Sequence, residues 1–177
     1  METRRRLPHQ YPEDRALFLT WHLHGAVPPT RFPPRDKLNA GQAFVYIDRY
    51  LDTTRQGPLY LKMPEIARIV LSAIRAGESL GHYYLHAWVI MPNHVHILID
   101  PHIDPSRLMR SLKGASSREA NPTLNRTGEP FWQKESYDHW VRNATSFERI
   151  RAYIETNPVK AGLAPAPDRY IWSSATA

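Results

Sequence analysis

The sequence predicts an α+β fold, an antiparallel sheet of about four to five strands interleaved with helices that pack on one face. Three observations lead there. Short β-favouring runs alternate with longer stretches of helical apolar spacing. Their order lacks the regular strand–helix–strand rhythm of a doubly wound sheet. Two of the runs, Tyr83 to Val89 and Val95 to Ile99, meet at the corner Met91-Pro92-Asn93, where a proline stops a central strand from continuing, so they form a hairpin or an adjacent pair. At 177 residues, 42% of them hydrophobic, the chain fits one domain with a real core. It is expected to be a single domain over 1–177, with a basic N-terminal arm at 1–15 and a C-terminal tail at 163–177.

The elements follow in order. Residues 1–15 are polar and basic, with Arg4, Arg5 and Arg6 in succession. They read equally as a solvated tail or as an arm on DNA phosphates. Ala16 to Val27 carries Leu17, Phe18, Leu19, Thr20 and Trp21 and stops at Gly25 and Pro28-Pro29, a strand and a turn. Four prolines between Pro28 and Lys37 make an irregular loop. Gln42 to Leu51 and Pro64 to Leu80 have helical spacing. Pro64 suits a first turn, and Ile66, Ile69, Val70, Ala73 and Ile74 form a core stripe. After the hairpin, Asp104 to about Asn121 is helical, with Leu108, Met109, Leu112 and Ala115 on one side and Arg107, Arg110 and Lys113 on the other. Phe131 to Val141 is an aromatic-rich strand. Thr145 or Ser146 caps a last helix through about Thr156, ended by Asn157-Pro158 and Gly162.

Composition narrows the function. Lysine and arginine outnumber acids 23 to 17, a net charge of +6, which favours a polyanionic partner without requiring one. With no cysteine there is neither a disulfide framework nor a thiolate metal site, so any metal sits on nitrogen and oxygen, and a cytoplasmic protein is the simplest expectation. The N-terminus lacks a secretory apolar stretch, and no run approaches the ~18 apolar residues of a membrane span.

His94-Val95-His96 opens an apolar strand, and the period of two puts both imidazoles on one face. His22-Leu23-His24 has the same spacing, also in a strand, so spacing alone does not choose between them. Tyr153 and Asn157 lie four residues apart, on one helix face beside Phe147, Ile150 and Ile154. Taken alone, the pair reads first as a packed amphipathic tyrosine and a helix-ending asparagine before proline.

Longer motifs decide. Met91-Pro92-Asn93-His94-Val95-His96-Ile97-Leu98-Ile99, with Tyr153-Ile154-Glu155-Thr156-Asn157-Pro158-Val159-Lys160-Ala161-Gly162-Leu163, closely resembles the REP-associated tyrosine transposases, relatives of the wider IS200-like, single-tyrosine HUH transposases. Phe131-Trp132-Gln133, Tyr137-Asp138-His139 and Trp172-Ser173-Ser174 add lesser matches in the same order. The resemblance implies a ferredoxin-like or RRM-like HUH domain. It also implies that His94, His96 and Asn157 hold a divalent Mg²⁺ or Mn²⁺ ion and that Tyr153 is the nucleophile. The ligand set is incomplete, which leaves positions for phosphate oxygens and water. The implied activity is metal-dependent cleavage and rejoining of single-stranded DNA through a 5′-phosphotyrosine. The implied substrates are hairpins at REP-like palindromes, met by a monomer or homodimer in the cytoplasm with the nucleoid.

Arg4, Arg5, Arg6, Arg107, Arg110, Lys113 and Arg118 are the candidate phosphate contacts. His22, His24 and Trp132, with Trp21, are candidates near the bases, although tryptophan in a strand is more often core. Two readings compete: a domesticated hairpin-binding protein that no longer cuts, and a metal phosphohydrolase using water in place of Tyr153.

Overall fold

A computed structural model describes residues 15–33 and 37–176; Arg4, Arg5 and Arg6 lie outside them. The order is β1 (Leu17–His22), α1 (Ala40–Thr53), α2 (Pro64–Ser79), β2 (Tyr83–Ile90), β3 (His94–Pro101), α3 (Pro105–Thr123), β4 (Tyr137–Trp140) and α4 (Ala144–Lys160). The strands form one antiparallel sheet in the order β2-β3-β1-β4. This is the expected α+β class. No helix among the described residues is long and apolar enough to cross a membrane.

Alternation along the strands assigns the two faces. Leu17, Leu19 and Trp21 of β1 and Val95, Ile97 and Ile99 of β3 point to one core, which α2 and α3 cover with Ile66, Val70, Ile74, Leu108 and Leu112. Phe18, Thr20 and His22 point the other way, opposite Leu98, His96 and His94 in register. This second face also needs cover, so the helices do not all lie on one side. Ile154 of α4 packs on Phe18, Val89 and Leu98, with Phe44 of α1 beside them.

Local chemistry sets the boundaries. Asn39 caps α1 in a reciprocal capping box with Gln42. Pro64 and Pro105 occupy first turns, where their missing N–H costs nothing. Asn143, not Thr145 or Ser146, caps α4, its side chain accepting from the Ser146 amide at 2.8 Å. Nor does α4 stop at Asn157. It runs through Pro158 to Lys160 and closes where Gly162, at φ +71°, lets Leu163 donate to the Pro158 carbonyl at 2.8 Å. Pro158 forfeits the bond its missing N–H would have made to the Ile154 carbonyl, and the helix continues past it to this closure. Asn157 thereby stays helical and keeps the face of Tyr153.

The C-terminal segment lies along β2. The Ile90 amide donates to the Trp172 carbonyl at 2.9 Å, the Trp88 amide to Ser174 Oγ at 3.0 Å, and Val89 bridges Ser173.

One glycine is there for contact. A Cβ on Gly77 of α2 would stand 2.5 Å from the Tyr83 hydroxyl and 2.8 Å from its ring, and that buried hydroxyl donates to the Ile74 carbonyl. Alanine in a helix interior ordinarily gains about 1 kcal/mol over glycine. Here Gly77→Ala is expected to destabilise by about 1–3 kcal/mol through overpacking, measured as a lower denaturant midpoint. A raised midpoint would show that Tyr83 yields freely.

Candidate functional site

The site begins at the corner before β3. Asn93 is buried at 1% exposure, and its Nδ2 donates to the Leu51 carbonyl of α1 at 3.0 Å. Its Oδ1 is thereby turned to His94 Nδ1, 2.7 Å away. His96 Nδ1 meets Thr20 Oγ1 at 2.6 Å, across the β1–β3 register. In His94 the Asn93 oxygen, an acceptor, leaves Nε2 as the free nitrogen, the usual way a fold fixes the tautomer of a metal-binding histidine, and in His96 the Thr20 hydroxyl occupies Nδ1 and turns Nε2 to the site.

Both Nε2 atoms meet carboxylates of α1. Asp48 Oδ1 stands 3.3 Å from His96 Nε2 and 3.6 Å from His94 Nε2, and Asp52 Oδ1 stands 3.5 Å from His94 Nε2. None of these contacts is a hydrogen bond, and all four atoms are buried without a partner. Four buried polar atoms left unsatisfied are costly unless something between them completes the set. Asp48, His94 and His96 offer ligand atoms all within 4.8 Å of one another. Adjacent ligands of an octahedral Mg²⁺ lie about 3 Å apart, given bonds of about 2.1 Å. This nitrogen–oxygen donor set therefore fits a hard or borderline divalent cation.

Electrostatics agrees. Burial, with His96 nearby, pushes the His94 imidazole down to about 3, so it is neutral and can offer its lone pair. Burial by itself would raise Asp48, but His96, His94 and the Lys160 ammonium outweigh it and hold the carboxyl below its ordinary range. Burial, reinforced by the Asp48 charge, raises Asp52 from 3.8 to about 8. Without metal, Asp52 thus carries a proton in the folded protein at neutral pH that the unfolded chain has lost. Its contribution to stability is full below the unfolded value and disappears as pH rises through the folded one. The melting temperature measured in EDTA is expected to fall between about pH 4 and 8, the span between the unfolded and folded values of Asp52, and Asp52→Asn is expected to flatten that fall. An unchanged slope in the variant would remove Asp52 as its source.

Helix α4 supplies the rest. The Tyr153 ring lies 5.5 Å from that of His96, centroid to centroid, with Phe18 at 6.2 Å and Phe44 at 6.4 Å. The Lys160 ammonium stands 5.2 Å from the centre of the Tyr153 ring. One turn beyond Tyr153, Asn157 is fully buried and neither atom of its amide has a partner. Arg55, just past α1, donates to the Ala161 carbonyl at the end of α4 at 3.2 Å, tying the helix of acids to the helix of Tyr153.

Comparison with known proteins now adds a family. Residues 63–157 match the model described as "Transposase IS200 like", more than half of the chain. The chain belongs to the IS200-like transposase family. No curated protein matches it. Among solved structures, a REP-associated tyrosine transposase bound to a REP hairpin aligns with a TM-score of 0.60 at 19% identity, covering 98% of this chain and 82% of the other. A candidate transposase from Deinococcus radiodurans R1 aligns with a TM-score of 0.46 at 16% identity, covering 86% and 97%. The first of these likenesses shows a shared fold.

In this IS200-like transposase the two histidine pairs part company. β1 ends at His22, whose Nδ1 donates to the Leu23 carbonyl at 3.0 Å, and His24 is exposed in a turn. Of the two pairs, it is His94 and His96 that stand within 4 Å of carboxylates. Arg107, Arg110 and Arg118 are exposed on α3. Lys113 is differently engaged, its ammonium donating to the carbonyls of Gln133, Lys134 and Glu135 at 2.8, 3.1 and 3.3 Å. Trp132 is core and no stacking platform. It is 7% exposed, packs edge-on to Trp21, and donates from Nε1 to Ser116 Oγ at 2.9 Å.

Asp48, Asp52, Asn93 and Thr20 escaped the sequence reading. One signal was present, since Asp48 falls on the helical face of Phe44 and Leu51, where an acid inside an apolar stripe needs a reason.

Proposed function

We propose that the protein is a single-stranded DNA endonuclease and strand transferase acting on DNA hairpins of the REP-like kind, with Tyr153 as nucleophile and a divalent Mg²⁺ or Mn²⁺ held by His94, His96, Asp48 and Asn157. The observation that carries this reading is the Tyr153 ring 5.5 Å from His96, beside four buried ligand atoms that lack partners. The family match and the fold shared with a hairpin-bound relative support it.

In the reaction the Tyr153 oxygen attacks the scissile phosphorus, the P–O3′ bond breaks, and the 3′ oxygen leaves with a proton. The products are a 5′-phosphotyrosine and a 3′-hydroxyl. A second 3′-hydroxyl can reverse the step on another strand without ATP, because the phosphotyrosine keeps the ester energy. The bound metal supplies charge neutralisation at the phosphate. Lys160, its ammonium 5.2 Å from the centre of the Tyr153 ring, adds positive charge where the phosphate approaches. Thr20 and Asn93 orient the imidazoles. A DNA substrate would place the protein with the nucleoid in the cytoplasm.

The test incubates the protein with labelled hairpin oligonucleotides from the source genome's palindromic repeats, in Mn²⁺ or EDTA, on denaturing gels. A Mn²⁺-dependent covalent adduct supports the reading. Tight binding without an adduct favours a hairpin-binding protein, and cleavage without an adduct favours a water nucleophile.

A further inference from the structure

A cavity of about 240 Å³ shares a wall with the metal cluster, because Thr20 and Asp48 line both. On the α1 side Ala40 and Ala43 leave room where longer side chains would fill it. Phe44 and Tyr137, stacked at 4.2 Å and 18°, give it an aromatic wall, and the exposed ring of Phe32 also borders it. Opposite stand Gln133, Glu135 and Ser136, whose side chains make no hydrogen bonds among the described residues. Their backbone is not loose, since the Lys113 ammonium holds the carbonyls of 133, 134 and 135 together.

We infer that this cavity is a pocket for one unpaired nucleobase of the strand being cut, a base adjoining the scissile phosphate. The inference rests on the proposal that DNA is the substrate. The shared wall sets the distance: a phosphate at the Asp48–His96 cluster has a base one sugar away, within reach of Phe44. The lining rejects other occupants. The Glu135 carboxylate repels a phosphate, and the cavity has room for one planar heterocycle, not for a helix or a paired stem. An aromatic wall holds any base by stacking. The polar side selects among them. His22 donates its Nδ1 hydrogen to the Leu23 carbonyl, which leaves Nε2 as an acceptor, and the Glu135 carboxylate only accepts. Acceptors favour a base with an exocyclic amine, adenine, cytosine or guanine, over thymine, which has none. Lys113 becomes a positioning residue for the rim.

The test uses the uncleaving Tyr153→Phe protein in Mn²⁺ with fluorescein-labelled dA10, dC10, dT10 and a fully abasic decamer, binding read by fluorescence anisotropy. One stacked base is worth about five- to 150-fold in affinity. We expect dA10 and dC10 to bind at least about tenfold more tightly than the abasic strand, with dT10 between them. Adding Ala43→Leu, which fills the cavity with a good helix former, should bring all three to the abasic affinity and leave that affinity unchanged. Equal binding of dA10 and the abasic strand overturns the inference without any cavity variant. So does discrimination that survives Ala43→Leu. An adduct with the hairpin substrate but no base discrimination sinks the pocket and spares the transferase. Discrimination without any adduct does the reverse.

Discussion

Tyr153→Phe is expected to abolish the covalent protein–DNA adduct and to lower strand cleavage by at least about a thousandfold, while binding and stability stay as they were. The size follows from chemistry: a phenyl ring has no atom that can bond to phosphorus, and a covalent route cannot be partly retained. The specificity follows from packing. The Tyr153 ring touches Phe18, Phe44 and His96, and phenylalanine keeps all of these contacts. Its hydroxyl makes no hydrogen bond among the described residues, so its loss leaves no buried partner unsatisfied. Thermal melting should therefore agree between variant and parent to within about 2 °C, since about 1 kcal/mol moves a chain of this size by about 2–4 °C. Denaturing gels and single-turnover cleavage measure the effect. Cleavage at an undiminished rate would assign the reaction to water at the metal.

The second large effect concerns Asp48. Asp48→Asn keeps the volume and removes the charge, so it separates a metal ligand from a residue that only fills space. Metal affinity should fall by at least about a hundredfold, because even residues that merely orient a ligand are worth ten- to a hundredfold. At a hundred times its dissociation constant, a metal ion stabilises the parent by about 2.7 kcal/mol, or about 5–10 °C in a chain of this length. That shift should disappear in the variant, and adduct formation with it. Metal-free stability should fall modestly, since the surroundings that hold the Asp48 carboxyl below its ordinary range favour its charge in the folded protein. Titration calorimetry with Mn²⁺ and melting with and without EDTA make the measurements. An unchanged Mn²⁺ affinity would remove Asp48 from the ligand set.

What could be read from the sequence was whatever repeats locally. The period of two in β3 put His94 and His96 on one face, and the helical period put Tyr153 and Asn157 on another. Both follow from backbone geometry within a few residues. The end of α4 was misplaced because the rule that proline ends helices holds for interiors and weakens in a last turn. What could not be read depends on contacts between distant segments. Asp48 and Asp52 reach the histidines only because Asn93 holds the Leu51 carbonyl and Arg55 holds that of Ala161, partners 42 and 106 residues apart in sequence. Lys113 was taken for the basic side of α3 because nothing in its neighbourhood announces three carbonyls 20 to 22 residues later. Trp132 was ambiguous for a like reason, since its Ser116 partner belongs to another element.

The segment from Trp172 to Ser174 has a consequence for the molecule among its own kind. An open sheet margin is a row of unanswered donors and acceptors that any extended chain, including another copy of the same protein, can join. On β2 the Trp88 and Ile90 amides are already taken by Ser174 and Trp172 of the same chain. Two copies meeting side by side thus find the Trp88–Ile90 end of that strand closed to fusion of their sheets.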